Sequence, residues 1–577
     1  MQLPPLRADL ILIHPPAYFD FRDCRRVYFP FPGSSGDVPI TPLYEYFPLG
    51  FKSLQSYLAD RGYEVKIVNL SSLLVQYPGL DFESLVSALD TRLVGIDLHW
   101  MVHTQGALAV AERIKELRKD LLLIFGGISA TYYAQELIHY PFVDMVMRGY
   151  DTHFPLEMLV QTLEDRRKPV AVPNLLWKDG ERIVDNGYTF KPGFYGYRID
   201  WSVQPSLDGS TGIPIAEIVS ATSAGCRYDC KWCGGSRSAF ARLHESSDTL
   251  VYRSLDDFSQ EMASLGQVRG PLQYHVYPVG TYNESGERLD RYLEILSASR
   301  IRSVNFEQFT LPGEAILRKM VQASPRTSIT LSPDTHDQRI AKKIGKGCYT
   351  NQELETWIEK ALEAGISQID LWYLVGLPDQ DENSVMETVE YAHQLLVRFD
   401  NHRVNPMICP MLPFLDPAST FFEEPGKFGY RILCHSLEEH RQAMGRASLL
   451  NRLNYETRWL SRKELVRVGY RAIRQLMVAK AETGFLPGSG IKFYNSKLDD
   501  AIAFMEVVHE VDEIGDPRAR EIELERIGDE IQSRNDELLY SGVLNQAFPF
   551  ARKIGGRWID EIGWDRASLA AAISSPN

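Results

Sequence analysis

Twice along this chain, short apolar runs of strand type alternate with helix-type segments, and that alternation leaves few folds open to it. The first series begins at Asp9-Leu10-Ile11-Leu12-Ile13 and continues through Val65-Lys66-Ile67-Val68, Leu93-Val94-Gly95-Ile96-Asp97, Leu121-Leu122-Leu123-Ile124-Phe125 and Val143-Asp144-Met145-Val146-Met147. Helix-like stretches at 49–60 and 107–118 lie between them. Near-continuous apolar runs of this length suit strands buried on both faces of a parallel sheet. Intervening helices impose right-handed crossovers, which predicts a doubly wound α/β domain. A second series, at 216–220, 273–277, 303–307, 328–331, 368–375 and 404–408, supplies six strands and predicts a partial (β/α)6 barrel. From about residue 425 the chain reads as mainly α-helical, with Leu465, Val468, Ala472 and Leu476 on one helix face. A chain of 577 residues exceeds one hydrophobic core. The predicted division is a doubly wound domain at 1–165, a linker at 166–210, the barrel at 211–424 and a helical domain at 425–577.

The chemistry is concentrated in one loop of the second series. Of seven cysteines, Cys24, Cys348, Cys409 and Cys434 are scattered singly, whereas Cys226, Cys230 and Cys233 fall within eight residues, directly after a strand. A disulfide framework does not look like this. Thiolates spaced C-x3-C-x2-C can hold three irons of a [4Fe–4S] cube and leave the fourth iron without a protein ligand. That open iron can chelate the amino and carboxylate groups of S-adenosylmethionine. Flanking glycines let the loop wrap a bulky cube, and Trp232 can shield it. The competing reading is zinc, which needs four ligands; His244, eleven residues beyond Cys233, is the available fourth. Cys409 ends the sixth strand and is a candidate to face the barrel cavity.

The stretch Gly225-Cys226-Arg227-Tyr228-Asp229-Cys230-Lys231-Trp232-Cys233-Gly234-Gly235 resembles the signature loop of radical S-adenosylmethionine (radical SAM) enzymes, C-x3-C-x-aromatic-C. Ser332-Pro333-Asp334-Thr335, followed by Lys343-Ile344-Gly345-Lys346-Gly347, resembles that family's fourth strand and the helix after it, and Leu374-Val375-Gly376-Leu377-Pro378 its fifth-strand ending. The resemblance makes Cys226, Cys230 and Cys233 the metal ligands, and Trp232, Gly234, Gly280, Ser332, Asp334 and Gly376 cofactor-binding positions. One departure stands out: where many members carry Gly-Gly-Glu for the methionyl amine, this chain has Pro278-Val279-Gly280-Thr281. The first 165 residues resemble the Rossmann-like cobalamin-binding domain that precedes the barrel in one branch of the family, through His14-Pro15-Pro16, Pro48-Leu49-Gly50, Gly126-Gly127 and Arg148-Gly149. Gly126, Gly127 and His99 are its candidate cofactor contacts. The D-x-H-x-x-G motif that supplies a cobalt ligand elsewhere is absent, so cobalt ligation by a histidine on that route is not expected; His99 and His103 remain nearby candidates.

This resemblance implies three cofactors, a [4Fe–4S] cluster, S-adenosylmethionine and cobalamin, with a reductase, flavodoxin or ferredoxin as electron donor. It implies reductive cleavage of S-adenosylmethionine to a 5′-deoxyadenosyl radical, hydrogen abstraction from a small-molecule substrate, and methyl transfer from methylcobalamin to an unactivated carbon. Cyclisation or rearrangement without methyl transfer, and a corrinoid sensor with an inactive barrel, are the alternatives. A net charge of −14 disfavours a nucleic-acid partner. No apolar run approaches the ~20 residues of a membrane span, and no signal-peptide core follows the N-terminus, so the expected location is cytoplasmic. Between residues 499 and 537, 14 acidic residues face four arginines, which reads as a solvated helical face; Glu506 and His509, spaced as a helical metal pair, lack the further ligands a di-iron site needs. The long loop after the first strand holds Tyr18, Phe19, Phe21, Tyr28, Phe29, Phe31, Tyr44, Tyr46 and Phe47. Either it covers a chamber between the two cofactors, favouring a substrate with apolar surface, or it packs on a neighbouring domain.

Overall fold

The computed structural model describes residues 3–31, 48–201, 218–267, 275–299, 301, 303–399, 402–410, 414–485 and 488–540. Strands β1 (Leu10–His14), β2 (Val65–Asn69), β3 (Leu93–Asp97), β4 (Leu122–Gly126) and β5 (Met145–Met147) form a parallel sheet in the order β2-β1-β3-β4-β5. Alternation along β1 sends Leu10 and Leu12 to one face, under helices α1 (Leu49–Ala59) and α3 (His153–Glu164). Ile11 and Ile13 go to the other, under α2 (Thr104–Leu117). The strand order reverses between β1 and β3, so their carboxyl ends open the crevice where such sheets take ligands. Within the stretch read as a linker, β6 (Leu175–Asp179) and β7 (Arg182–Asp185) form a hairpin that extends this sheet antiparallel to β5. The signal was present: Asp179-Gly180 between apolar-rich runs is a hairpin turn, with Gly180 at φ 63°.

The second sheet runs β8 (Ile218–Ala221), β9 (His275–Val279), β10 (Ser303–Gln308), β11 (Arg326–Asp334), β12 (Gln368–Val375) and β13 (Val404–Pro410), in sequence order and parallel throughout. Residues 216–217 and 273–274 of the expected strands lie outside the described residues. Val304, Phe306, Ile329, Leu331, Ile369 and Leu371 are fully buried under the surrounding helices. The alternate positions are polar and joined: Asn305 Nδ2 donates to Thr330 Oγ1 at 2.9 Å, Ser328 Oγ to Asn305 Oδ1 at 3.2 Å, and Asn405 Nδ2 to Asp370 Oδ1 at 2.9 Å. This inner face therefore forms a polar lumen rather than an apolar plug. Glu261 locks the first strand in place, accepting from Arg253 Nη1 at 2.6 Å, Ser220 Oγ at 2.7 Å and Trp201 Nε1 at 3.1 Å.

Helix α4 (Glu382–Arg398) lies on the barrel's outer wall between β12 and β13; after the barrel come α5 (Leu437–Met444) and a small antiparallel pair, β14 (Tyr430–Ile432) and β15 (Tyr455–Thr457). Three long helices follow, α6 (Arg462–Glu482), α7 (Gly488–Asp512) and α8 (Pro517–Tyr540). A capping box, Ser461 with Glu464, starts α6. Near its other end, Lys480 Nζ donates to Asn405 Oδ1 at 2.7 Å, and burial pushes this ammonium down to about 7. The described half of the aromatic loop divides: Phe19 packs on Phe82 and Phe21 joins the first-sheet core, while the rings from Tyr28 on pack on these helices. Tyr28 meets Phe504 edge-on at 4.9 Å and Phe31 meets Tyr494 at 5.2 Å. Buried Asn535 accepts from the Phe29 N–H at 3.0 Å and donates to the Cys24 and Val27 carbonyls. Tyr28, Phe29 and Phe31 thus have the contacts of the packing alternative; Tyr44, Tyr46 and Phe47 lie outside the described residues. The acidic segment is held by neighbouring cations, including Arg467–Glu506 and Arg474–Asp499, each at 2.6–2.7 Å. Among the described residues, no helix is long and apolar enough to cross a membrane.

Candidate functional site

Two edges carry the candidate chemistry. At the carboxyl end of β8, residues Ser223–Gly225 pair antiparallel with Leu250–Tyr252 and project the cysteine loop. Cys226 and Cys230 are buried, Cys233 is half-buried, and none is in a disulfide. Burial pushes the Cys226 thiol up to about 12 and raises Cys230 and Cys233 as well. The Tyr228 N–H donates to Cys226 Sγ and the Gly235 N–H to Cys233 Sγ, each at 3.3 Å. Amides aimed at sulfur favour thiolate, and they tune a cluster's potential where one is held. The zinc reading gains no support from His244, which bonds the Tyr188 hydroxyl through Nδ1 at 2.6 Å and packs on the Phe240 and Tyr150 rings. Nor, among the described residues, do three His, Cys, Asp or Glu side chains converge as a single ion requires. A cube, carrying irons of its own, spreads its thiolates wider than one ion does.

The end of β11 closes over this loop. A register shift between Leu331 and Asp334 re-aims the strand, and Asp334 sits at φ 66°. Asp334 Oδ2 accepts from Trp232 Nε1 at 3.0 Å, tying the loop to the barrel. The turn after the next helix presses on the loop: the Lys231 N–H donates to the Ile344 carbonyl at 2.9 Å, and a Cβ on Gly345 would fall 2.5 Å from the Asp229 carbonyl oxygen. That approach carries Lys346 inward. Its side chain is 6% exposed, with Nζ 3.8 Å from Asp334 Oδ2, 4.0 Å from the centre of the Phe309 ring, and without a hydrogen-bond partner among the described residues. Glu307, next to last on β10, alternates with the helix-facing Phe306 and bonds Tyr277; burial pushes its carboxyl up to about 7 against the pull of Lys346. Asp416, raised by burial to about 6, accepts the Gly234 N–H at 2.8 Å.

The expected positions are thus partly assembled. Cys226, Cys230, Cys233, Trp232, Gly234 and Asp334 share one site, with Ser332 on the same strand as Asp334, inside the register shift. Gly280 lies against Thr222 and Ser223 at the loop's base. Gly376 is spent on the barrel itself, its N–H on Gln380 and its carbonyl on the Tyr430 hydroxyl. Cys409 is half-buried on β13. Lys346, Glu307 and Asp416 escaped the sequence reading as site residues. Only Lys346, flanked by glycines in the quoted Gly345-Lys346-Gly347, offered a signal.

On the first sheet, His14 Nδ1 and Asp97 Oδ2 meet at 2.8 Å across the switch between β1 and β3, both buried. Burial opposes the Asp97 charge, but His14 prevails and holds its pKa below the usual range. His103 is fully buried 5.2 Å from the His14 ring, and burial lowers its pKa to about 3. His99 is half-buried beside Trp100. The glycine pair divides its roles. A Cβ on Gly127, at φ 110°, would meet the Leu98 carbonyl oxygen at 2.8 Å, so that glycine serves the chain's own packing. A Cβ on Gly126 would meet nothing within 4 Å, leaving open space for a ligand.

The segment between β13 and β14 joins the two edges. The Tyr132 hydroxyl, just after Gly127, donates to Glu423 Oε1 at 2.8 Å and its ring packs on Phe422. One residue earlier, the Phe421 N–H donates to the Lys231 carbonyl at 2.9 Å, and Arg242 reaches the Ala418 carbonyl. The same segment carries Asp416, bonded to Gly234. Residues 416–423 therefore touch both the glycine edge and the cysteine loop.

Family models match at both sites: the B12 binding domain over residues 37–157 and the radical SAM superfamily over residues 220–392, between them about half of the chain. Among solved structures, the chain is similar to the radical S-adenosylmethionine methyltransferase TsrM from Kitasatospora setae. With cobalamin and [4Fe–4S] cluster bound, that structure is 15% identical, with a TM-score of 0.55, covering 87% of this chain and 99% of that one. With tryptophan substrate and a SAM analogue bound, it is 16% identical, with a TM-score of 0.54, covering 82% and 89%. The cobalamin-dependent S-adenosylmethionine radical enzyme OxsB with aqua-cobalamin is 12% identical, with a TM-score of 0.51, covering 99% and 84%. At these identities the likeness is one of fold. Among curated proteins no relative matches. With a B12 binding domain ahead of a radical SAM domain, and the fold of enzymes that join the two, the chain belongs to the cobalamin-binding radical SAM enzymes.

Proposed function

We propose that the chain methylates an unactivated carbon of a small molecule, with Cys226, Cys230 and Cys233 holding a [4Fe–4S] cluster and the carboxyl edge of the first sheet holding cobalamin. When bound, the cluster supplies the electron that splits S-adenosylmethionine to a hydrogen-abstracting radical, and cobalamin supplies the methyl carrier. The chain's own residues bind and orient. The Tyr228 and Gly235 amides stabilise the sulfurs as thiolates, Trp232 and Asp334 fix the loop against β11, and Gly126 leaves a gap for a flat ligand. The observation that carries this reading is the shared wall, residues 416–423, bonded to Tyr132 on one side and to Lys231 and Gly234 on the other. A hydrogen-abstracting group and a methyl donor serve one substrate only if their edges bound one chamber. The rings of Tyr28, Phe29 and Phe31, buried against the C-terminal helices, give no support to an apolar substrate. The polar lumen leaves its chemistry open to hydrogen-bonding groups.

The test is anaerobic reconstitution with iron, sulfide and cobalamin, followed by dithionite, methyl-deuterated S-adenosylmethionine and a metabolite extract. Methylation predicts 5′-deoxyadenosine and S-adenosylhomocysteine in equal amounts, with label in one new product. Formation of 5′-deoxyadenosine without S-adenosylhomocysteine would replace methylation by cyclisation or rearrangement, and neither product would leave a corrinoid carrier.

A further inference from the structure

Three buried side chains of the first domain form a relay with no part in holding a cofactor. Ser53 Oγ on α1 meets His153 Nε2 at 2.8 Å, and His153 Nδ1, at the start of α3, meets Asp151 Oδ1 at 2.9 Å. Burial opposes the Asp151 charge, but His153 and the Gly196 amide hold its pKa below the usual range, so this carboxylate only accepts. That places the ring proton on Nδ1 and leaves Nε2 to the Ser53 hydroxyl. Serine, histidine and aspartate linked in this order can activate a nucleophile. Ser53, however, is 1% exposed and its oxygen takes the Arg198 N–H at 2.9 Å, so a substrate has no way to it. At the other end of the relay, Asp151 Oδ2 takes the Gly196 N–H at 2.6 Å, and a Cβ on Gly196 would fall 2.7 Å from that oxygen. The relay therefore begins and ends on one segment, at amides two residues apart. Ser56 adds a third grip, on the Asp200 N–H at 3.1 Å.

The odd-numbered residues of that segment face the barrel. The Tyr195 N–H donates to the Tyr252 carbonyl at 3.0 Å, on the strand that pairs with Ser223–Gly225 directly before Cys226. The Tyr197 ring centre lies 4.8 Å from the Arg253 guanidinium, and Tyr197, Ile199 and Trp201 are buried in the barrel core. Trp201 Nε1 reaches Glu261, which also holds Ser220 on β8. Alternate amides thus bind helices that open at the carboxyl edge of the first sheet, while the residues between them bind the base of the cysteine loop. We propose that Ser53, His153 and Asp151 are positioning residues for the methyl transfer: they clasp the strap 195–201, and the strap fixes how the cysteine loop stands to the carboxyl edge of the first sheet. A misplacement of about 1 Å can cost about 10²-fold in rate, so such a transfer needs its two edges held. This role rests on the reading that those edges hold the cluster and cobalamin.

Two readouts on the full chain, reconstituted anaerobically with cluster and cobalamin, test it. Amide hydrogen exchange reads the clasp. The distance between the cob(II)alamin and reduced-cluster spins, from pulsed electron paramagnetic resonance, reads the placement. In Ser53→Ala the Arg198 amide should exchange about tenfold faster, the scale of one lost hydrogen bond, with Gly196 unchanged. In His153→Ala both amides should exchange faster by that factor. The unaltered chain should give one narrow distance, and His153→Ala a broad distribution at the same iron and cobalamin content, with Ser53→Ala between them. Unchanged exchange in the variants overturns the clasp. Faster exchange at an unchanged distance overturns the positioning role, as does a distribution already broad in the unaltered chain. If His153→Ala fails to fold or to load, Ser53→Ala, which removes a single oxygen, decides by the same two readouts. An unaltered chain that takes up no cluster or no cobalamin removes the underlying reading, and this role with it.

Discussion

The two candidate edges differ in how their polar groups are used. On the first sheet, the histidine and the acid at the switch point bind each other, and the glycine beside them serves internal packing. What remains for a ligand is shape, backbone and one open valence, Asp97 Oδ1, which is buried without a hydrogen-bond partner among the described residues. At the barrel mouth more is left open, and of both signs: Lys346 Nζ and Asp334 Oδ1 are buried without hydrogen-bond partners among the described residues, next to three unlinked cysteines. A large flat ligand gains most from area, so its site can be internally satisfied. A small charged ligand and a metal cluster gain from specific charges, so their site keeps polar valences open. The difference predicts that side-chain substitutions at the barrel abolish function outright, whereas the first sheet responds mainly to changes of backbone and volume.

The largest effect tests whether the two sites are separable. Replacing Cys226, Cys230 and Cys233 together by Ala should remove all iron–sulfur absorption while leaving cobalamin content unchanged, read from spectra and metal analysis of one preparation. Joint loss of both cofactors would show one interdependent site and break the comparison. Within the first sheet, the glycine pair sharpens it. Gly127→Ala should destabilise the fold by about 1–3 kcal/mol in urea unfolding, from the clash with Leu98 and the strained φ. Gly126→Ala should leave the unfolding midpoint nearly unchanged and weaken cobalamin retention on gel filtration. Equal unfolding midpoints for the two variants would deny the division of roles.

Acid reaches the contact between the domains. His440 donates through Nδ1 to the Ser436 carbonyl at 2.8 Å and accepts the Asn454 amide at Nε2 at 3.0 Å, and burial lowers its pKa to about 4. A histidine held neutral in the fold stabilises it fully above its unfolded value, near 6.5. That contribution is lost as pH falls from there toward the folded value, because the unfolded chain takes up the proton first. Stability should therefore decline between pH 6.5 and 4, by up to about 1.4 kcal/mol per pH unit for each such histidine. His440→Gln should flatten the slope by up to one proton; an unchanged slope would place the acid sensitivity elsewhere. The smallest effect belongs to the acidic helices: Glu506→Gln, removing an exposed pair with Arg467, should change unfolding free energy by no more than about 0.5 kcal/mol.

Strands and the cysteine loop were readable because each rests on local pattern. Apolar runs located β3 and β12 to the residue, and the C-x3-C-x2-C spacing stood out among scattered cysteines. What stayed hidden depends on convergence. Glu307, Lys346 and Asp416 come from three separate stretches and meet only once the barrel closes. The aromatic loop was hard for the same reason, since nothing local marks Asn535 and Phe504 as the partners of Phe29 and Tyr28. The hairpin at Leu175–Asp185 was a legible turn passed over as linker.

The most direct measurement is the formation of 5′-deoxyadenosine by the anaerobically reconstituted full chain, given S-adenosylmethionine and dithionite, beside the triple cysteine variant. The account predicts steady formation by the unaltered chain and none by the variant. Iron-loaded protein that forms none, or a variant that continues to form it, would contradict the assignment of Cys226, Cys230 and Cys233.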